Sequence, residues 1–493
     1  MSGEFERASA QEARRPGAAT VRRRWRERGL LLLLVAVCFA VYRASPVRTV
    51  SDPYFTVLTS ESLLTRGSWD LSPYLAQLVE AARRRGEQLA APADGSSDST
   101  SPGFSRRNYQ LRRRGDALLY FYPPGVPLLA VPLVAVTRLA GLSAIDEQGR
   151  YQFSRELEIH AWLGALVAAV AAGVLFRLAR RELPAGPALG VALAAAFGTS
   201  LWSSASGALW THTWTVPILA LALLELLRWE DGEERRPLWL GALMVAAVWV
   251  RPTSAIAAAA TAIFVAARHR AALFRLLVTG ALGLLAFVAW SEIVWGAPVP
   301  LYYRLGQRAA LEGFPSAFLG LLMSPSRGLL VFSPMLAWVA LVLARYGVPA
   351  ARRPLALLAV AVAGLQVALY ATWPYWWGGG SYGPRLLTDL VPYFAWFGAL
   401  AVAAVVERSR SGALTRPVRR ALAIGALLLT GLSFAVHGAG VASRSIQRAV
   451  VGAGGGRAWS VRSSPYAAIW AFAQAPAEGE REAPSGSPPQ GVE

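Results

Sequence analysis

The sequence predicts an all-α, polytopic integral membrane protein with about 11–12 transmembrane helices. Its 493 residues are 54% apolar and only 16% charged, whereas soluble globular proteins carry about 25% charged residues. The apolar residues form long blocks, and a helix needs roughly 17–25 such residues to cross the hydrocarbon core of a bilayer. The arginines gather at the ends of these blocks, where the positive-inside rule and lipid phosphates place them.

The predicted spans are eleven apolar blocks, some of them short and touching, so that their boundaries are several residues wide. They lie near residues 29–45, 158–179, 186–205, 211–228, 237–250, 252–267, 272–290, 328–345, 355–371, 386–406 and 421–437. The first block follows a basic run and resembles a secretory signal peptide. No small-residue cleavage site follows it, so we expect it to be retained as an anchor.

Loop composition predicts the orientation of the spans. Short arginine-rich loops alternate with longer aromatic and glycine-rich loops, and the arginine side is cytoplasmic by the positive-inside rule. The sequence thus predicts a cytoplasmic arm over residues 1–28 and a transmembrane domain over 29–437, whose first outer loop is 46–117. A short extracytoplasmic tail over 438–493 is expected to be disordered from about residue 476, because it is rich in Pro, Ser, Gly and Glu.

Residues 118–140 are apolar enough to cross the membrane, but a crossing here would reverse every later loop. Pro123 and Pro124 disfavour a plain helix at the start of the segment. We therefore expect a re-entrant or interfacial element buried against protein. A full span, compensated by an extra turn elsewhere, is the alternative.

The composition also limits the chemistry. A net charge of +19 would favour nucleic acid in a soluble protein, but these arginines flank apolar blocks, so membrane lipids are expected partners and nucleic acid is not. The only cysteine, Cys38, lies in the first block, which excludes disulfides and cysteine metal sites. The sequence has no HExxH, DxD or P-loop pattern, so we expect no metal, no cofactor and no ATP-driven transport.

Asp52 is the first candidate for chemistry because it follows the first span within about ten residues. A carboxylate held this close to the membrane can act as a general base if its surroundings are apolar. The alternative is structural, since an aspartate before a proline often caps the start of a helix.

The second candidate is the aromatic and glycine-rich stretch 373–385, which is followed by Asp389. Aromatic faces such as those of Trp377 and Tyr382 stack on sugars or sit in the interfacial belt, and Arg385 offers a planar fork for a phosphate. Arg385 and Asp389 are four residues apart on one helix face, so a structural ion pair between them is the alternative.

Further candidates lie at the outer mouths of other predicted spans. Trp210 and His212 occupy a bend, Arg251 precedes a proline between two apolar blocks, and Arg327 precedes another span. Several arginines on one face would form an anion site, most simply for phosphate. Snorkelling to the interface would explain each arginine singly.

Six short motifs occur in an order that is similar to a known family. They are Asp52 after the first span, Tyr-Pro-Pro-Gly-Val-Pro (122–127), Leu-Trp-Thr-His (209–212), Arg-Pro-Thr (251–253), Ser-Pro-Ser-Arg-Gly (324–328) and Ser-Tyr-Gly-Pro-Arg (381–385). Over about residues 29–437 the layout resembles that of the bacterial GT-C glycosyltransferases of the protein O-mannosyltransferase and aminoarabinose-transferase type (family 39-like).

The resemblance implies a membrane enzyme of the bacterial plasma membrane whose site faces the extracytoplasmic side. It would move a sugar from a polyprenyl-phosphate donor to a hydroxyl of a lipid, glycan or protein acceptor. In that family an acidic residue of the first outer loop is the catalytic base, which Asp52 matches, and outer arginines bind the donor phosphate, for which Arg385 is the best match before Arg251 and Arg327. Many relatives have Asp-Glu where this chain has Asp52-Pro53, which makes metal use less expected.

A phosphate leaving group needs no general acid, so one carboxylate base suffices, and a single displacement inverts the anomeric centre. The alternative function is a transporter or flippase of lipid-linked sugars. Such proteins typically show internal repeats and ionisable residues at the membrane midplane. This sequence shows no repeat, and its polar candidates gather near one face.

Overall fold

The computed structural model describes residues 18–92, 108–304, 311–452 and 456–474. Most of the predicted cytoplasmic arm, part of the first outer loop and the tail predicted to be disordered from about residue 476 lie outside these residues. Within them the regular secondary structure is almost entirely helical, as predicted.

The helices are numbered in chain order. The amino-terminal half contains α1 (Ala18–Ala44), α2 (Thr56–Arg66), α3 (Ala76–Arg84), α4 (Gly125–Leu139), α5 (Phe153–Ala179), α6 (Ala185–Phe197), α7 (Ser200–Ser203), α8 (Thr211–Glu230) and α9 (Pro237–Val250). The carboxyl-terminal half contains α10 (Ala255–Arg268), α11 (Arg270–Trp295), α12 (Leu301–Arg304), α13 (Phe314–Met323), α14 (Leu329–Phe332), α15 (Met335–Tyr346), α16 (Arg353–Ala371), α17 (Val391–Arg410), α18 (Arg416–Ala442), α19 (Arg444–Val451) and α20 (Pro465–Gln474).

Each predicted span falls on a helix or on a pair of consecutive helices. Within the described residues, five helical segments are long and apolar enough to cross a membrane, and a sixth is added if the pair α6–α7, bent by 43°, is one span. The five are Phe153–Ala179, Arg270–Trp295, Ala350–Ala371, Arg385–Arg410 and Arg416–Ala442. The chain is therefore an α-helical, multi-pass membrane protein, which confirms the predicted fold class.

Burial separates the central helices from the peripheral ones. The most apolar stretch of α5 is 83% buried inside the protein, whereas those of α11 and α18 are only 17% buried. Peripheral helices expose large apolar side chains such as Phe274 and Leu427, which only a lipid environment makes favourable. The buried face of α5 is rich in alanine, and small residues let neighbouring helices approach closely without a hydrophobic driving force from water.

The segment between α1 and α5 is a small folded unit rather than a simple loop. It contains α2, α3, α4 and a three-stranded sheet of order β1-β2-β3, made of Ala91–Pro92, Leu111–Arg114 and Ala117–Tyr120. Strands β1 and β2 are parallel, and β2 and β3 are antiparallel with Leu111 opposite Tyr120. Buried apolar residues, among them Phe55, Leu71 and Leu111, give the unit its own core.

The segment 118–140 forms the end of β3 and then α4, which has 15 residues. At 1.5 Å per residue this helix is about 22 Å long, shorter than the roughly 30 Å of a hydrocarbon core. It packs against α2 of the same folded unit and against α9. The start of α4 is buried, whereas Val136 and Leu139 near its end are exposed, so the choice between an interfacial element and a full span stays a prediction.

The predicted domain boundaries differ from the helix ends at both termini. Helix α1 begins at Ala18, so the end of the predicted arm continues the first span as one helix. Helix α18 runs to Ala442, and residues after it form α19 and α20. The part of the predicted tail that the structure describes is thus mostly helical, because buried side chains such as Ile446 and Val450 pack on the bundle.

Gly164 fixes the distance between α5 and the bend before α8. A Cβ atom at this position would lie 2.8 Å from the backbone nitrogen of Ala208. We expect Gly164→Ala to lower the melting temperature in detergent by several degrees, because overpacking a tight contact costs about 1–3 kcal/mol. Gly190→Ala is the matched control, since a Cβ there meets nothing within 4 Å. Equal melting of the two variants would contradict this account of the contact.

Candidate functional site

A cavity of about 520 Å³ opens among the loops that join the helices at the end of the bundle where α1 terminates. Its walls come from the turn after α1, from β3, from the bends before α8 and α10, and from the segments around residues 302, 374 and 385. It brings together five of the residues singled out from the sequence: Asp52, Trp210, His212, Arg251 and Arg385.

Asp52 lies in a turn at the edge of the cavity, and its side chain is about one quarter exposed. Its carboxylate accepts hydrogen bonds from the Arg385 guanidinium at 3.1 Å and from the Tyr109 hydroxyl at 2.8 Å. Its backbone carbonyl accepts a hydrogen bond from Tyr120 at 2.8 Å. The carboxylate is therefore oriented by two donors and lies beside a cation.

Arg385 begins a 3-10 helix, Arg385–Leu390, directly after Gly383 and Pro384. Gly383 has φ of 76°, a left-handed conformation that L side chains rarely adopt. The guanidinium of Arg385 lies over the Trp210 ring at 4.6 Å while it pairs with Asp52. The cation–π contact and the ion pair hold its planar fork at the cavity wall.

Arg251 lies between α9 and α10 and reaches the same cavity from the other side. It forms a 2.7 Å ion pair with Asp389 and donates to the hydroxyls of Tyr370 and Thr211. Asp389 is almost completely buried, and it also accepts a hydrogen bond from Gln366 at 3.1 Å. Asp389 is thus partnered by Arg251 rather than by Arg385, so the structural pair considered from the sequence does not form.

Trp210 and His212 form a stacked pair in the bend before α8, with ring centroids 5.4 Å apart and planes 14° apart. His212 is only 1% exposed. Neither of its ring nitrogens has a hydrogen-bond partner among the described residues. A buried polar ring that faces a cavity without a partner is available to a ligand.

Tyrosines supply most of the remaining polar groups of the cavity. They are Tyr120, Tyr122, Tyr302, Tyr303 and Tyr375. Burial raises the pKa of Tyr302 to about 12 and that of Tyr122 well above its ordinary value, an effect to which the charge of Asp52 adds in both cases. Their hydroxyls therefore stay protonated at neutral pH and can donate hydrogen bonds.

Besides Asp389, three of the predicted site residues, Arg327, Tyr382 and Trp377, lie outside the cavity lining. Arg327 is 1% exposed and donates to the backbone carbonyls of Trp377, Ser326 and Val450 at 2.7–3.1 Å. Tyr382 is buried and donates to the carbonyl of Val436 at 2.8 Å. Trp377 meets Arg327 through its backbone. These contacts favour a structural role for the three residues, and their proposed roles in binding stay predictions.

Burial and the nearby Arg385 lower the pKa of Arg327 to about 10, so its guanidinium remains charged at neutral pH. Its donors bridge the glycine-rich segment after α16 and the end of α19. A buried cation that is satisfied by carbonyl groups has few donors left for a phosphate.

Glu156 is a residue of the site that the sequence did not single out. It is fully buried, and its carboxylate accepts hydrogen bonds from the backbone amides of Phe55 at 3.2 Å and Val57 at 2.9 Å, and from the Tyr151 hydroxyl. Phe55 has φ of 70°, the only non-glycine residue with positive φ among those described. Glu156 thus holds the strained turn that carries Asp52.

One signal for Glu156 was present in the sequence. It is an acidic residue close to the start of a long apolar block, where charges are costly unless they are paired. Its partners lie about 100 residues earlier in the chain, so only the folded structure connects it with Asp52.

No group of three or more His, Cys, Asp or Glu side chains that could hold a metal ion occurs in the parts of the chain that the structure describes. The chemistry available at the cavity is that of one carboxylate, two guanidinium groups, an unpartnered histidine and aromatic faces.

Comparison with solved structures finds a similar chain in the archaeal oligosaccharyltransferase AglB from Archaeoglobus fulgidus, which was solved in complex with an inhibitory peptide and a dolichol-phosphate. The two chains are 12% identical with a TM-score of 0.49, and the match covers 86% of this chain and 57% of that chain. This chain therefore spans little more than half the length of that protein. No family model matches the chain, and no curated protein is similar to it.

Glu156→Gln tests the support of the Asp52 turn. An amide keeps the size of the side chain but loses an acceptor oxygen and the charge, and hydrogen bonds to charged groups are each worth about 1.5–3 kcal/mol. We expect a clear fall in the melting temperature in detergent. The control is Glu147→Gln, which changes an exposed glutamate. If the two variants had the same melting temperature, Glu156 would not be the residue that stabilises the Asp52 turn.

Proposed function

We propose that this chain is a membrane glycosyltransferase that moves a sugar from a polyprenyl-phosphate donor to an acceptor hydroxyl, with inversion at the anomeric carbon. In this proposal Asp52 is the general base, and Arg385 and Arg251 face the donor phosphate. The observation that carries it is the convergence of one carboxylate, two guanidinium groups and aromatic walls in a single cavity at one end of a membrane helix bundle.

The two arginines contribute differently. Arg251 is anchored by the buried Asp389, so its position is fixed and its charge is largely balanced. Arg385 has only the partly exposed Asp52 as its ionic partner among the described residues. A phosphate that enters the cavity competes with Asp52 for Arg385, because guanidinium groups bind phosphate through two parallel hydrogen bonds.

This competition links donor binding to the base. While Arg385 pairs with Asp52, its guanidinium and the Tyr109 hydroxyl each occupy one oxygen of the carboxylate, so an acceptor hydroxyl has less access to it. When the donor phosphate binds Arg385, the ion pair between Arg385 and Asp52 is broken. Asp52 keeps its hydrogen bond from Tyr109, and its other oxygen can accept a proton from an acceptor hydroxyl. The base is thus released only when a donor is present.

The reaction is one displacement. The acceptor oxygen attacks the anomeric carbon as the bond from that carbon to the phosphate oxygen breaks, and the acceptor proton goes to Asp52. The polyprenyl phosphate leaves with the electron pair, and the guanidinium groups stabilise its developing charge. Aromatic side chains such as Trp210, Trp373 and Tyr122 offer faces on which a sugar ring can pack.

The location of the cavity supports a lipid-anchored donor. It lies among the loops at one end of the bundle, beside the turn that follows α1, so a substrate held in the bilayer would reach it without leaving the membrane. We propose that the protein resides in the bacterial plasma membrane with this end on the extracytoplasmic side, as the arginine-rich loops at the opposite end indicate. The acceptor is a lipid, a glycan or a protein.

A transporter or flippase of lipid-linked sugars is the second candidate. The same aromatic cavity and arginines would bind such a substrate without consuming it. The ion pairs and the base at one mouth of the bundle favour chemistry, since transport sites lie near the midplane.

The Asp52→Asn variant tests the enzyme and its base together. Purified protein is offered a panel of polyprenyl-phosphate sugars, and sugar transfer and donor hydrolysis are measured. We expect turnover by the wild type and a loss of about 10²–10⁴-fold in Asp52→Asn, while the exposed Asp116→Asn control stays active. If the wild type bound the donors but never consumed them, the proposed enzymatic activity would be rejected. Movement of lipid-linked sugars across the membrane of proteoliposomes would then be measured.

Arg385→Lys and Arg385→Ala separate charge from geometry. Lysine keeps the positive charge but not the planar fork. We expect kcat/KM for the donor to fall about tenfold or more in Arg385→Lys and further in Arg385→Ala. Equal kcat/KM in wild type and both variants would remove Arg385 from the phosphate site.

A further inference from the structure

A second cavity, of about 470 Å³, lies on the other side of the turn that carries Asp52. Tyr54 lines this cavity, whereas Asp52 and Pro53 line the first one, so the turn is a wall between the two. The second cavity lies between the end of α1, the start of α5 and helix α19.

Four arginines surround the second cavity: Arg43, Arg48, Arg444 and Arg448. Only one carboxylate, Glu158, shares its lining. None of the four arginines forms an ion pair with any residue that the structure describes, whereas several arginines at the opposite end of the bundle, such as Arg181 and Arg352, do. The cavity is therefore a concentration of unbalanced positive charge.

Two of these arginines keep buried donors without partners. The Nε atoms of Arg43 and Arg48 are buried and make no hydrogen bond within the described chain. Arg43 is held over the Trp162 ring at 4.5 Å, and Arg48 donates to the carbonyl of Arg43. Burial, together with the charge of Arg43, lowers the pKa of Arg48. Holding two cations this close without an anion is costly, and a bound anion would remove the cost.

The other side of the cavity is built by an amphipathic helix. In α19, Ile446 and Val450 are buried against the bundle while Arg444 and Arg448 are exposed. Gln447 from the same helix donates to the Thr49 hydroxyl at 2.7 Å and ties α19 to the segment after α1. Neutral donors and guanidinium groups thus line one space.

The level of the cavity along the bundle identifies the source of the anion. Helix α1 ends at Ala44, and α18 ends at Ala442, immediately before α19. They carry the predicted spans 29–45 and 421–437, which end at or shortly before this level, so we place the arginines at the depth of lipid headgroups. A phosphate carried by a lipid reaches this depth by diffusion within the bilayer.

We infer that the second cavity binds the phosphate headgroup of a membrane lipid, beside the Asp52 turn and separate from the cavity that contains Arg385. The site uses Arg48 and Arg43 as its inner donors and Arg444 and Arg448 as its outer ones. This inference does not depend on the proposed glycosyltransferase activity, since none of these residues lines the first cavity.

The test measures binding of short-chain phosphatidic acid to the purified full-length protein in a neutral detergent. Inorganic phosphate and short-chain phosphatidylcholine are the comparison ligands. The main variant is Arg444→Gln with Arg448→Gln, because both side chains are exposed and the fold is expected to tolerate the change. The matched control is Arg416→Gln with Arg419→Gln, which removes two exposed arginines from the start of α18.

We expect saturable binding of phosphatidic acid that weakens about tenfold or more in the main variant and is unchanged in the control. Arg48→Gln, checked for an unchanged melting temperature, should weaken binding in the same way. The lipid assignment is overturned if inorganic phosphate binds as tightly as phosphatidic acid. The site itself is overturned if all variants bind like the wild type or if phosphatidylcholine binds equally well. Asp52→Asn should leave the binding of phosphatidic acid unchanged. The outcome of this binding test is therefore independent of whether the proposed glycosyltransferase activity is confirmed.

Discussion

A backbone inside a bilayer has no water to bond with, and most of this structure follows from that constraint. The amide and carbonyl groups satisfy one another within helices, so irregular backbone occurs where the chain leaves the hydrocarbon or is covered by protein. Charged side chains are confined to the same places by the cost of burying them in lipid. The polar side chains that can bind a ligand or react therefore lie in the loops at the ends of the helices. Both cavities are formed by such loops and helix ends.

The arginines of the two cavities differ in whether they have carboxylate partners. At the first cavity each guanidinium has a carboxylate partner, Asp389 for Arg251 and Asp52 for Arg385. Such a site is close to neutral when empty, and a phosphate enters by exchanging partners rather than by meeting bare charge. At the second cavity the four arginines have no carboxylate partner among the described residues. There the anion must come from outside the chain.

The turn over residues 52–55 separates the two cavities and contributes residues to both. Its conformation is strained at Phe55 and is maintained by a buried carboxylate on the central helix α5. The same helix places His160, which accepts a hydrogen bond from the amide of Leu209, next to the bend that carries Trp210. The central helix α5 therefore helps to set the positions of both sides of the first cavity.

The helical membrane class and the positions of the long helices could be predicted from the sequence, as could five residues that line the first cavity: Asp52, Trp210, His212, Arg251 and Arg385. These were readable because span length and charges at span ends are local properties of the chain. The number of membrane crossings and the roles of these residues stay predictions. The partners of these residues depend on the folding of distant segments together. Asp52 and Arg385 form an ion pair although they are 333 residues apart in sequence. Asp389 pairs with Arg251 rather than with Arg385. Arg327 donates its hydrogen bonds to backbone carbonyls. Which helix ends meet depends on side-chain packing between distant helices, and no local pattern encodes it.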